Sequence, residues 1–199
     1  MSTAAYITED GRAAIERAYS AETRRKLEER VVFLPEVLGR PSGRTEVEYL
    51  FSTWGMPAFT EEELEACFPQ LRAVFYAAGS VQAFARPLLN RGIRVFSAWA
   101  ANAIPVAEYT AAQIILAGKG FFQASRLYQG QGWDAARRHS ESQRGSYGAG
   151  VGILGTGMIG REVIRRLKDC RLDVLVFDPF LPEEQAKALG VEKRALHEV

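Results

Sequence analysis

Apolar and polar positions alternate along this chain in two periods, and the switches between them mark out its elements. Ala4 to Thr8 reads as a short strand. Gly11 to Arg30 is helical in composition, with Glu22/Lys26 and Arg24/Glu28 at i,i+4 spacing on a solvated face. Val31-Val32-Phe33-Leu34 predicts a strand stopped at Pro35, and Gly39 to Gly43 predicts a loop. Val47 to Thr53 is a stronger strand, ending in the turn Trp54-Gly55-Met56-Pro57. Thr60-Glu61-Glu62-Glu63 fits a capping box, with Thr60 as N-cap, and the helix it starts must finish before Pro69. Leu71 to Ala77 predicts a strand closing on Ala78-Gly79-Ser80. A short helix around Phe84 to Asn90 then leads into a strand over Ile93 to Ala98.

The second half begins with Pro105, which suits the first turn of a long helix running to about Tyr128, because a proline there loses no needed donor. Gln129 to Gly150 is rich in glycine and serine and reads as a surface loop. Val151 to Leu154 is a short apolar run with Val151 and Ile153 β-branched, so it reads as a buried strand. The period then becomes helical and continues to Lys168. Leu172 to Phe177 is another buried strand, ending at Asp178. Pro182-Glu183-Glu184 starts a helix that ends near Gly190, before a last short strand at Val191. Strand and helix alternating in this way predict an α/β protein with a parallel sheet and right-handed crossovers.

Composition narrows the partners. A chain of 199 residues holds one large or two small domains, and 47% apolar with 25% charged residues is ordinary for a globular protein. A net charge of +1 offers no bulk attraction for nucleic acid or an anionic membrane, and neither is an expected partner. Trp54, Trp99 and Trp133 read as packing anchors, since stacking on nucleic acid needs a basic groove. Cys67 and Cys170 lie far apart with no metal-ligand spacing. They suit buried thiols in a reducing compartment, so no metal and a cytoplasmic location are expected. The apolar region Val95 to Leu116 is interrupted by Asn102, Pro105 and Glu108 and does not read as a membrane span. Met1 to Tyr6 lacks the pattern of a secretory leader.

The chemistry concentrates at Gly155-Thr156-Gly157-Met158-Ile159-Gly160, a G-x-G-x-x-G placed where a strand gives way to a helix. Gly155 permits the tight turn, Gly157 lets the backbone approach a pyrophosphate, and Gly160 lets the helix sit close on the strand. The amides opening the helix are unpaired and favour a diphosphate, aided by the helix dipole. All six residues are therefore cofactor-binding candidates. Asp178, at the end of the next strand, can accept hydrogen bonds from the adenosine ribose hydroxyls. Its charge repels a 2′-phosphate, and Pro179 and Phe180 follow it instead of an arginine, so the reading is NAD and not NADP.

With Arg91-Gly92-Ile93-Arg94-Val95, Asn102-Ala103-Ile104-Pro105-Val106-Ala107-Glu108, the glycine fingerprint and Asp178-Pro179 in that order, the chain resembles the D-2-hydroxyacid dehydrogenase family from roughly Trp54 to its last residue. The resemblance implies a flavodoxin-like substrate-binding domain over residues 1–100, then the first half of a Rossmann-type NAD-binding domain over 101–199. Asn102 would lie at the hinge, and the helix from Pro105 would open the cofactor domain and contribute to a homodimer. Met158 and Ile159 match positions whose amides meet the diphosphate, and Asp178 matches the ribose acid. Ala78, Gly79 and Ser80 match the loop whose backbone N–H groups hold the substrate carboxylate, for hydride transfer between a 2-hydroxy or 2-oxo acid and NAD.

Departures from the family matter as much. Ser80-Val81-Gln82-Ala83-Phe84 lacks the acidic residues that many members carry there, so no particular substrate can be read from it. The family's catalytic arginine, glutamate and histidine would fall beyond Val199. No catalytic residue is therefore expected here, and the chain alone is expected to be inactive. His139 and His197 read as surface histidines without a legible carboxylate partner, and Glu108 as a residue of the helix dipole and hinge. The alternative is a non-catalytic NAD(H)-sensing or corepressor-like binding module. A third reading is an unstable fragment with open strand edges.

Overall fold

Strands and helices are interspersed along the chain, and among the described residues each strand pairing is parallel. The structure, a computed structural model, describes residues 1–40 and 43–199. Pro41 and Ser42, within the expected loop from Gly39 to Gly43, lie outside the described residues. The chain divides into two compact units, Met1–Asn102 and Ala103–Val199.

In the first unit the order is β1 (Thr3–Ile7), α1 (Arg12–Ala18), α2 (Ala21–Glu28), β2 (Val32–Leu38), β3 (Tyr49–Ser52), α3 (Glu61–Cys67), β4 (Ala73–Tyr76), α4 (Ala85–Asn90) and β5 (Arg94–Ser97). The sheet order β2-β1-β3-β4-β5 is that of flavodoxin-like folds. The two-residue strand period sorts side chains between the faces. Ile7, Leu50 and Val74 join a core with Leu64 and Phe68 of the α3 segment and Leu88 of α4. Tyr6, Phe33, Phe51 and Phe75 belong to a second core with Ile15 and Tyr19. In that second core, Tyr6 stacks on Phe33 at 4.4 Å and Phe51 on Phe75 at 4.9 Å between ring centroids. The capping box at Thr60 forms as the sequence predicts, with Glu63 N donating to Thr60 Oγ1 at 3.1 Å and Thr60 N to Glu63 Oε2 at 2.9 Å.

Two expectations in this unit need correcting. The helix over Gly11 to Arg30 is two helices, because Ser20 caps α2 by accepting from Thr23 N at 3.2 Å. The extended backbone at Tyr19 sets its hydroxyl against the buried carbonyls of Ser52, at 2.9 Å, and Phe75, at 3.0 Å. The strand expected to stop at Pro35 instead runs to Leu38. It lies at the sheet edge and its register slips there, so a residue without an N–H costs no ladder bond.

The division between the units falls inside α5 (Trp99–Gly118). Then come α6 (Phe121–Gln131), α7 (Trp133–Ser142), β6 (Ala149–Leu154), α8 (Met158–Leu167), β7 (Leu172–Phe177), α9 (Glu183–Leu189) and β8 (Glu192–Lys193). The sheet order β6-β7-β8 is one half of a dinucleotide-binding fold. Ile153 and Val176 from the sheet, Val163, Ile164 and Leu167 from α8, and Ala107 and Ala111 from α5 form its core. Burial of each large aliphatic side chain here stabilises by roughly 1.5–3 kcal/mol.

The long helix departs from expectation at both ends. It starts at Trp99, with Asn102 N donating to Ala98 O at 2.9 Å, so Pro105 lies inside it and not in its first turn. Pro105 and Ala101 are exposed, so water can serve the Ala101 carbonyl that loses its partner. The helix ends at Gly118 and does not reach Tyr128. Gly120 takes the left-handed conformation, φ +65°, which breaks it from α6. The loop expected over Gln129 to Gly150 contains α7, whose Ala136 is buried and whose Arg137 pairs with Glu141 at 2.7 Å.

Candidate functional site

The glycine turn is built by the strand before it and the helix after it. Gly155 N donates to Phe177 O at 2.8 Å, continuing the β6–β7 pairing, and then φ +90° at Gly155 turns the chain off the sheet. A Cβ on Gly160 would run into the Gly155 carbonyl oxygen, so only glycine allows α8 this close to the strand. Around Gly157 the opposite holds, with nothing within 4 Å of the place a Cβ would occupy. Arg161 N donates to Gly157 O at 3.0 Å, which begins the helical ladder. Among the described residues the amides of Gly157, Met158, Ile159 and Gly160 have no protein acceptor.

Asp178 closes the other side of the turn. Its Oδ2 accepts from Thr156 N at 2.7 Å and from Thr156 Oγ1 at 2.6 Å, while Oδ1 accepts from Phe180 N at 2.9 Å. The Thr156 hydroxyl bond, the two backbone N–H bonds and the Lys193 charge hold the carboxyl down at about 2, so it is ionised at neutral pH. Thr156 is buried. The structure therefore brings residues 155–160 and Asp178 together. Thr156, however, has its amide and hydroxyl turned to Asp178, which places it beside the carboxylate and takes its N–H away from a ligand. Arg161 supports the same turn, its Nε donating to Thr156 O at 2.8 Å and its guanidinium reaching Gln185 of α9 at 3.0 Å.

These groups fit a dinucleotide. Four unpaired amides at a helix N-terminus and an open approach over Gly157 suit a diphosphate, and an ionised carboxylate with spare acceptor capacity suits ribose hydroxyls.

In the first unit, Ala78, Gly79 and Ser80 follow β4 at the carboxyl end of its sheet. Ala78 is buried, and a Cβ on Gly79 would come within 3.2 Å of Asn102 Nδ2. Ser97, at the end of β5, places its hydroxyl 2.5 Å from Gly79 O and 3.0 Å from Ala78 O. The contacts of Ser97 and of the Thr156 hydroxyl are faint in the sequence. A hydroxyl residue next to a glycine turn or at a strand's carboxyl end is the only signal each leaves.

The remaining candidates behave as structural groups. His139 lies in the last turn of α7 with its Nε2 close to Gly120, and His197 is exposed. Neither bonds a carboxylate among the described residues. Glu108, expected at a helix start, sits in the body of α5, and its Oε1 pairs with Arg166 of α8 at 3.1 Å. Its role is an ion pair, not a dipole contact. No cluster of metal-ligating side chains occurs among the described residues, and no helix there is long and apolar enough to cross a membrane.

The fold and the turn define an α/β protein with a dinucleotide-binding half. Residues 111–199 match the family model described as D-isomer specific 2-hydroxyacid dehydrogenase, NAD binding domain. This stretch is similar to the NAD-binding domain of the D-2-hydroxyacid dehydrogenase family, and NAD is the cofactor of the matched domain. The chain is 37% identical over 110 residues to D-3-phosphoglycerate dehydrogenase of Bacillus subtilis, a match covering 55% of this chain and 20% of that protein. It is 31% identical over 135 residues to (S)-sulfolactate dehydrogenase of Chromohalobacter salexigens, covering 67% of this chain and 42% of the relative. The chain thus spans less than half the length of these relatives. In fold it is similar to a phosphoglycerate oxidoreductase from Rhizobium etli, with TM-score 0.73 and 24% identity over 100% of this chain and 63% of that one.

Proposed function

We propose that this chain is part of an NAD-dependent oxidoreductase acting on a small 2-hydroxy or 2-oxo acid. In this reading the unit Met1–Asn102 is the substrate-binding domain and Ala103–Val199 the cofactor-binding one. The amides of Gly157, Met158, Ile159 and Gly160 hold the diphosphate. Asp178, fixed by Thr156, accepts from the ribose hydroxyls and turns away a 2′-phosphate. Bound NAD supplies hydride acceptance and donation at the substrate's C2. The loop Ala78-Gly79-Ser80 receives the substrate carboxylate through its backbone N–H groups. A second copy of the chain packs along α5, which exposes Ile104, Val106, Tyr109 and Ile115.

The observation that carries this reading is the pair of bonds from Thr156 to Asp178, which joins the glycine turn to the acidic strand end in one site. General acid–base groups contribute about 10²–10⁴-fold, and among the described residues neither His139 nor His197 has the carboxylate partner such a role needs. The 199-residue polypeptide by itself therefore binds NADH without turning it over. The test is NADH formation with a panel of 2-hydroxy acids, for this polypeptide beside one extended to the length of the relatives. Turnover only in the extended protein supports the reading. NADH binding with no turnover in either contradicts it in favour of a nucleotide-sensing module.

A further inference from the structure

Ser97 makes a contact that the reading above does not use. Its side chain ends 2.5 Å from the carbonyl oxygen of Gly79 and 3.0 Å from that of Ala78, two successive peptides reached by one hydroxyl. A trans peptide carries its C=O and N–H on opposite sides. Holding these two carbonyls against Ser97 therefore turns the N–H groups of Gly79 and Ser80 to the far side of the loop. Among the described residues the amides of Gly79, Ser80 and Val81 have no acceptor. Successive N–H groups presented together form an anion-binding concavity.

Ser97 is well placed to hold that arrangement. It ends β5, in register with Tyr76 at the end of β4, so a strand pair and not a loop fixes its backbone. Asn102 also lies near the loop, since a Cβ on Gly79 would come within 3.2 Å of its amide nitrogen. Further along the loop Gln82 N donates to Ser80 Oγ at 3.4 Å, and Phe84 N and Ala85 N donate to Val81 O at 3.2 and 2.9 Å.

We infer that Ser97 is a positioning residue that sets the Gly79 and Ser80 amides to receive a carboxylate. This rests on the reading of the loop as the substrate's carboxylate site. Without the hydroxyl the two carbonyls are free to rotate, and the amides no longer converge. Ser97 touches no substrate and moves no proton.

The test uses the ¹⁵N-labelled 199-residue chain titrated with pyruvate and followed by amide chemical shifts, in the parent and in Ser97→Ala and Ser97→Thr. The parent is expected to show saturable shifts at Gly79 and Ser80. Ser97→Ala should weaken the pyruvate response by about tenfold, the equivalent of one or two lost hydrogen bonds, and speed hydrogen exchange at both amides. Ser97→Thr, which keeps the hydroxyl, should restore both. Pyruvate shifts in the parent that persist unchanged in Ser97→Ala would overturn the role of Ser97 and leave the carboxylate loop standing. No pyruvate response in the parent would remove the carboxylate site, and this inference with it. If Ser97→Ala merely unfolds, failure of Ser97→Thr to bind like the parent decides against the proposal.

Discussion

Thr156 donates both its backbone N–H and its hydroxyl to one oxygen of Asp178, at 2.7 and 2.6 Å. The carboxylate proposed to accept from the ribose is therefore oriented by the middle of the glycine turn proposed to hold the diphosphate. Thr156→Val keeps the shape and the amide but deletes the hydroxyl bond, which is the largest cause of the lowered Asp178 pKa. The Asp178 pKa should rise from about 2 toward its ordinary 3.8, read by NMR titration of the carboxyl carbon. The sign for stability follows. A carboxyl lowered on folding contributes fully above about pH 4, and the contribution is lost as pH falls toward 2. Acid melting of the parent should therefore steepen in that window, and Thr156→Val should flatten it.

Gly157 and Gly160 separate binding from folding. Alanine at Gly157 meets nothing within 4 Å, and its backbone is extended at φ −66°, ψ −167°, so the fold should tolerate it. The added methyl stands over the unpaired amides, so NADH binding should fall sharply at unchanged melting temperature. Alanine at Gly160 collides with the Gly155 carbonyl and should cost about 1–3 kcal/mol or more of stability. Thermal melts and NADH fluorescence on both variants check the contrast. Equal loss of stability in the two would argue against these roles.

Glu108 should be dispensable for the cofactor. Its ion pair with Arg166 is largely exposed on the glutamate side, and Glu162 also pairs with Arg166. Glu108→Gln should change stability by no more than about 1 kcal/mol, the range of surface pairs, and leave NADH affinity unaltered. Urea denaturation and a binding titration measure both.

The cofactor turn was legible because its chemistry is local. Three glycines, a strand and an acid at the next strand's end each have a backbone reason to sit where they do, and the Thr60 capping box was legible for the same cause. What the sequence could not disclose depends on partners distant along the chain. Pro35 looks like a strand stop until the edge position of β2 is known. Pro105 looks like a first-turn residue until the helix is seen to begin at Trp99, with Ala101 exposed. The glycines and serines around α7 hid the helix-forming run from Asp134 to Arg138. Ser97 acts on a loop 18 residues away, and nothing near it in sequence indicates that.

The central claim is that ionised Asp178, fixed to the glycine turn, makes this an NAD site. Parallel fluorescence titrations of the 199-residue chain with NADH and NADPH test it most directly. Like charges about 4 Å apart repel by roughly 1–4 kcal/mol between bulk-water and near-surface dielectrics. Saturable NADH binding is predicted, with NADPH weaker by at least about tenfold and the difference abolished in Asp178→Asn. Equal binding of the two nucleotides by the parent chain, or no NADH binding at all, would contradict the account.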